Sequence, residues 1–291
     1  MSLADIYSTD QPGLSFELFP PKTEAGEEAL LKHVQRLLEF SPGYITCTYG
    51  AGGSTQNKTL DIIGRVHEMS GLPVATHLTC VGSTAEQLGE YLTEARKRGV
   101  DNVVALRGDP PKGEDSFTAV EGGFKYANEL VEYIRRDFSD MGIAVAGYPE
   151  KHVEAPSLDV DLENLKRKVD AGADVVVTQL FYVNDDFFAF RDRCVALGIN
   201  VPIVPGLLPV TNFAQIKRIT SLCGAKLPGE FVSALEAAGD ESDTQFQVGV
   251  DFATQQMAQL LEAGVPGVHL YVLNKSEAAS GVLENLGWKA N

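Results

Sequence analysis

Two acidic residues interrupt or close short apolar stretches of this sequence: Glu17 in Phe16-Glu17-Leu18-Phe19, and Asp109 at the end of Ala105-Leu106-Arg107-Gly108-Asp109. A strand buried on both faces reads as a continuous hydrophobic run, so a carboxylate in it needs a role beyond solubility. Alternation of side chains puts Ser15, Glu17 and Phe19 on one face and Phe16 and Leu18 on the other. Phe16 and Leu18 suit a helix-facing side, which leaves Glu17 pointing inward. Desolvation beside an aromatic ligand would raise the proton affinity of such a carboxyl, the usual way to keep a general acid protonated near neutral pH. A salt bridge to Lys22 is the plainer alternative. Arg107 and Asp109 flank a glycine, and Pro110 and Pro111 stiffen the exit, where a structural Arg–Asp pair is the plainer reading.

The elements that must position these residues follow from rhythm. Strands are expected at residues 14–20, 44–50, 73–80, 102–109, 143–148, 174–181, 202–209 and 268–274, each β-rich and punctuated by Gly or Pro. Between them lie helical apolar spacings such as Ala29, Leu30, Val34, Leu37, Leu38 and Leu88, Tyr91, Leu92, Ala95. Strand, helix, strand at intervals of about 30 residues implies right-handed crossovers and a parallel sheet. Thr84 and Asn212 read as helix N-caps, and Gly99, Gly172 and Gly198 as helix ends. The interval between the seventh and eighth strands has room for an extra helix near 228–238 before one around 246–263, with Asp240 to Asp243 as a solvated turn. The fold class expected is α/β, a single (β/α)8 TIM barrel over residues 1–291 with extra helices between strands seven and eight. In such barrels the strand C-termini converge on one mouth, so Glu17, Thr48, His77, Asp109, Tyr148 and Gln179 should ring it.

Bulk properties narrow the partners. Lys plus Arg is 24 against Asp plus Glu at 40, a net charge of −16, which should repel nucleic acid and anionic membranes. The sequence contains no run of roughly 20 apolar residues and its N-terminus does not read as a signal peptide, so a cytoplasmic protein is expected. The four cysteines form no CxxC and the five histidines no HxxxH, which suggests free thiols and no metal site. Gly50-Ala51-Gly52-Gly53-Ser54 could cradle an anion but lacks both phosphate-loop fingerprints, which leaves ligand contact and a flexible mouth loop equally open. Asp161, Asn164, Arg167 and Lys168 share a helix face at spacings of three and four, as an exposed salt-bridged stripe would.

With these residues in hand, the chain resembles the methylenetetrahydrofolate reductases over nearly its whole length. The resemblance is carried by Phe16-Glu17-Leu18-Phe19-Pro20-Pro21-Lys22, Thr48-Tyr49-Gly50-Ala51, His77-Leu78-Thr79-Cys80, Leu106-Arg107-Gly108-Asp109, Tyr148-Pro149-Glu150-x-His152, Leu165 to Ala173, Thr178-Gln179-Leu180-Phe181 and Pro205-Gly206-Leu207-Leu208-Pro209, in that order. It implies a barrel holding FAD, reduced by NADH or NADPH and reoxidised by 5,10-methylenetetrahydrofolate to give 5-methyltetrahydrofolate. Both substrates would use the same flavin face in turn, in a cytoplasmic homo-oligomer serving one-carbon metabolism and methionine biosynthesis.

Carried over by position, Glu17 is the general acid that opens the folate's imidazolidine ring. Asp109 tunes the flavin and stabilises the cationic iminium. Flavin contacts are implied for Thr48, Tyr49, Ala51, His77, Arg107, Gly108, Asp109, Ala127, Tyr148, His152, Ala155, Asp161, Asn164, Arg167 and Lys168. Arg167 and Lys168 would then face a pyrophosphate rather than solvent. Substrate contacts are implied for Gln179, Gln215, Ile219 and Lys275. Ile219 stands where bacterial relatives often carry an aromatic ring. Lys275 stands where they often carry arginine, which removes the bidentate fork. The end at Asn291 implies no regulatory domain and no inhibition by adenosylmethionine. The alternatives are a flavin-free barrel, such as a pterin-dependent methyltransferase, or a non-catalytic ligand-binding barrel.

Overall fold

The computed structural model describes residues 3–9, 11–49, 56–110, 113 and 117–288. Every expected strand forms: β1 (Gly13–Leu18), β2 (Tyr44–Cys47), β3 (Val74–Thr79), β4 (Asn102–Leu106), β5 (Gly142–Gly147), β6 (Val175–Thr178), then β7 (Ile203–Val204), β8 (Gly206–Leu207) and β9 (Gly267–Tyr271). The expected seventh strand is two, because Pro205 has no N–H to offer a ladder. All pairings are parallel, in the order β7-β6-β5-β4-β3-β2-β1-β9-β8. The two ends of that order meet at Pro205, whose carbonyl accepts the His269 N–H at 3.0 Å, so the sheet closes into a cylinder through one residue.

The pleat divides the core as period two requires. Phe16, Leu18, Ile45, Cys47, Leu78 and Val103 face outward into the layer beneath the helices. Tyr44, Ala75, Val104, Ala144, Val175, Val177 and Val204 fill the cylinder together with Leu3, Ile6 and Tyr7. The short helix α1 (Leu3–Ile6) thus plugs the N-terminal end. Gly267 lets it approach: a Cβ there would lie 2.7 Å from the Tyr7 ring.

The caps also stand where the sequence puts them. Thr84 and Gln87 form a capping box at the start of α4 (Ala85–Lys97), and Asn212 accepts the Gln215 N–H at the start of α8 (Phe213–Cys223). Gly99, Gly172 and Gly198 take φ of 75°, 116° and 75° at helix ends. Between β8 and β9 come α8, α9 (Gly229–Ala237) and α10 (Ser242–Glu262). Ser242 and Asp243 already belong to α10, so only Asp240 and Glu241 form the solvated turn. Helices α8 and α9 rest on a satellite cluster of Leu180, Tyr182, Leu208, Val210, Ile216 and Phe231 beside the barrel mouth. Among the described residues no helix is long and apolar enough to cross a membrane.

Candidate active site

The sequence-derived residues lie at the C-terminal ends of the strands or on the loops that follow. Glu17 is on β1, Thr48 and Tyr49 follow β2, His77 is on β3, Arg107 to Asp109 follow β4, Tyr148 to Ala155 follow β5, and Gln179 follows β6. Lys275 follows β9, Ala127 opens α5 (Ala127–Asp137), and Asp161, Asn164, Arg167 and Lys168 ride on α6 (Leu158–Asp170). Ala51 and the rest of the glycine-rich run lie outside the described residues.

Glu17 is buried inside the cylinder, as its parity in β1 requires. Its partners are imidazoles, not Lys22: Oε2 lies 3.2 Å from His77 Nε2 and 3.7 Å from His269 Nε2. A chain of polar contacts continues down the barrel axis. His269 Nδ1 is 2.7 Å from Ser15 Oγ, which is 2.7 Å from the Tyr7 hydroxyl on the plug. Tyr44 stacks on His269 at 6.2 Å and 19°. This arrangement corrects the expected charge state of Glu17. Burial pushes its carboxyl up, but the two imidazoles together pull harder and hold it at about 2. Desolvation dominates only where no cation faces the carboxylate.

A second group gathers around β4, β5 and α6. Arg107 forks onto Glu154 at 2.5 and 2.8 Å instead of pairing with Asp109, and its guanidinium lies 5.4 Å from the Phe117 ring centre. Asp109 is exposed on the rim, and its charge helps raise the Tyr148 phenol, whose burial is the larger cause. Tyr148 meets His152 edge to face at 4.7 Å, and Asp161, buried, accepts the His152 backbone N–H at 3.0 Å. Lys168 turns inward, donates to the Ala146 carbonyl at 2.5 Å and lies 5.8 Å from the Tyr148 ring centre. Burial lowers its ammonium to about 8 against the opposing pull of Asp161. The expected α6 stripe therefore splits. Asp161 and Lys168 face the barrel, whereas Asn164 and Arg167 are exposed and bond each other at 3.0 Å.

The remaining candidates are looser. Thr48 carries the Thr59 hydroxyl on its carbonyl, and Tyr49 reaches the Thr79 backbone N–H. The Gln179 side chain accepts the Leu180 N–H, Gln215 and Lys275 are exposed, and Ile219 is half-buried against the satellite cluster. Ala127 and Ala155 are half-buried. Sequence reasoning missed His269, Ser15 and Glu154. The signal for His269 was present in register: it sits opposite Ser15 in the β1–β9 pairing and shares the inward parity of Tyr271, which sits opposite Glu17.

Several features fit a flat, anionic, hydrogen-bonding cofactor. Thr46 Oγ1 is buried with no hydrogen-bond partner among the described residues. Lys168 is a half-buried cation beside an aromatic pair. Gly108 has φ of 88° and packs so closely on Val81 and Thr79 that a Cβ there would lie 2.6 Å from Val81, so only glycine fits at this rim turn. Among the described residues no cluster of three or more His, Cys, Asp or Glu could hold a metal ion.

The family model described as methylenetetrahydrofolate reductase matches residues 2–287. The chain is 44% identical to "Methylenetetrahydrofolate reductase (NADH) 1" of Arabidopsis thaliana over 98% of its own length and 50% of that protein. It is 37% identical to the 5,10-methylenetetrahydrofolate reductase of Escherichia coli K12 over 98% of its length and 94% of that protein. It thus spans about half the length of the plant relatives and nearly all of the bacterial one. In fold it is similar to a Clostridium thermocellum protein solved with two copies of 5-methyl-5,6,7,8-tetrahydrofolic acid (TM-score 0.67, 15% identity, 99% of both chains).

Proposed function

Because the chain belongs to the methylenetetrahydrofolate reductase family, we propose that it reduces 5,10-methylenetetrahydrofolate to 5-methyltetrahydrofolate, with FAD as cofactor and NADH or NADPH as reductant. The observation that carries this reading is the Glu17–His77–His269 cluster, an ionisable group held inside a barrel below the mouth that Asp109 borders. FAD, when bound, supplies the hydride carrier between nucleotide and folate.

The chain's own residues do the rest. Glu17, with His77 and His269 beside it, delivers a proton to the folate amine nitrogen that leaves the methylene carbon. Breaking that C–N bond leaves a cationic iminium, which accepts a hydride and becomes the methyl group. Asp109, a carboxylate on the rim, stabilises that positive charge. Lys168 and Arg107 offer cations to a pyrophosphate, and Tyr148 with His152 gives an aromatic wall. Gln179, Gln215, Ile219 and Lys275 are the residues assigned to folate or nucleotide. A homo-oligomer and a cytoplasmic location belong to the same reading.

The test is optical. Purified protein should be yellow, bleach anaerobically on addition of NADH or NADPH, and regain colour when 5,10-methylenetetrahydrofolate is added. A colourless preparation that cannot be loaded with FAD would defeat the proposal, and one that still bound folate would point to a flavin-free, pterin-dependent barrel.

A further inference from the structure

Phe19 lies two residues beyond Glu17, at the exit of β1, with 37% of its surface exposed. A lone exposed ring is ordinary on a protein surface. The way its backbone is held is not. Asn274 Oδ1 accepts the Phe19 N–H at 2.7 Å, and Asn274 Nδ2 donates to the Phe19 carbonyl at 2.7 Å. The last backbone approach of the β1–β9 pair is the 3.5 Å contact of the Val272 N–H with the Glu17 carbonyl. One carboxamide therefore supplies the next rung after the ladder has ended. To reach that place, Leu273 and Asn274 take φ of 47° and 60°, left-handed values that asparagine tolerates but leucine avoids. Strain of this kind persists where surrounding contacts over-determine it, often at ligand clamps.

We propose that Asn274 pins Phe19 as an aromatic wall of the mouth, against which the flat heteroaromatic ring of the substrate stacks. This rests on the folate-reductase reading for the identity of that ring. Asn274 is a positioning residue, and Phe19 is the residue that touches ligand. Free rotation of the β1 exit would let the ring leave the mouth, and stacking needs a fixed plane.

Equilibrium dialysis of 5-methyltetrahydrofolate against the flavin-loaded protein tests the pair without requiring turnover. Phe19→Leu and Asn274→Gly should each weaken binding by about fivefold, the scale of one aromatic contact, while Phe19→Tyr stays within about twofold of wild type. Glycine suits φ of 60°, so Asn274→Gly should keep flavin and thermal stability while losing the clamp. The double variant should bind no more weakly than the worse single, because both remove one wall. Asn274→Asp, which keeps the acceptor and loses the donor, carries the same expectation if the glycine variant does not fold. Multiplicative weakening in the double variant, or unchanged binding when Asn274 is replaced, would overturn the wall and leave the folate reading intact. Wild-type protein that binds no folate would remove both.

Discussion

At the scale of single residues, what matters is which partner a charge meets. Glu17 in isolation inside a barrel would hold its proton; Glu17 between His77 and His269 gives it up at about 2. We expect Glu17→Gln to retain FAD and its reduction by pyridine nucleotide but to slow reoxidation by 5,10-methylenetetrahydrofolate by at least about 10²-fold, the usual scale of general acid catalysis. Stopped-flow absorbance of the two half-reactions would check this, and equal rates for both would refute the role. The same carboxyl shapes acid stability. Its folded value lies below the 4.5 of an unperturbed glutamate, so its stabilisation is complete above about 4.5 and is lost as pH falls toward 2. Wild type should lose up to about 3 kcal/mol relative to Glu17→Gln across that window, as measured by urea unfolding at each pH. Lys168 makes the complementary case. An ammonium that titrates near 8 meets a pyrophosphate only while charged, so FAD affinity should fall as pH rises through about 8. Lys168→Met should bind FAD more weakly and lose that pH dependence, which a flavin fluorescence titration would show.

At the scale of elements, local chemistry and tertiary demand agree at most positions. Thr84 and Gln87 cap α4 reciprocally, and Thr84→Ala should cost about 1 kcal/mol in urea unfolding while Thr84→Ser, which keeps the capping hydroxyl, costs nothing measurable. The seventh strand shows where agreement stops. Residues 202–209 read as one strand, yet Pro205 divides them so that Ile203 and Val204 pair with β6 while Gly206 and Leu207 pair with β9. The proline was legible, but its effect was not, because which neighbour each half joins depends on barrel closure. Helix α6 is similar. Spacings of three and four place Asp161, Asn164, Arg167 and Lys168 near one another, but packing of the helix on the barrel leaves Asp161 and Lys168 turned inward while Asn164 and Arg167 stay in solvent.

At the scale of the whole molecule, the plug and the mouth occupy opposite ends of one cylinder, joined along its axis by Tyr7, Ser15, His269 and Glu17. Leu3, fully buried at the plug, should cost about 2–4 kcal/mol when changed to Ala, through lost burial and the cavity left behind; a loss below about 1 kcal/mol in urea unfolding would show that α1 is dispensable to the core. The sequence by itself determined the strands, the helix caps, the inward parity of Glu17 and the end of the barrel at which chemistry-bearing residues gather. Those follow from side-chain alternation, turn chemistry and the hydrophobic run lengths, all of which are local. The ionic partners of Glu17 and Arg107, the inward turn of Lys168 and the pinning of Phe19 by Asn274 were decided only by tertiary structure. Each joins residues far apart in the chain, and their meeting depends on the stagger between strands at closure, which no local pattern encodes.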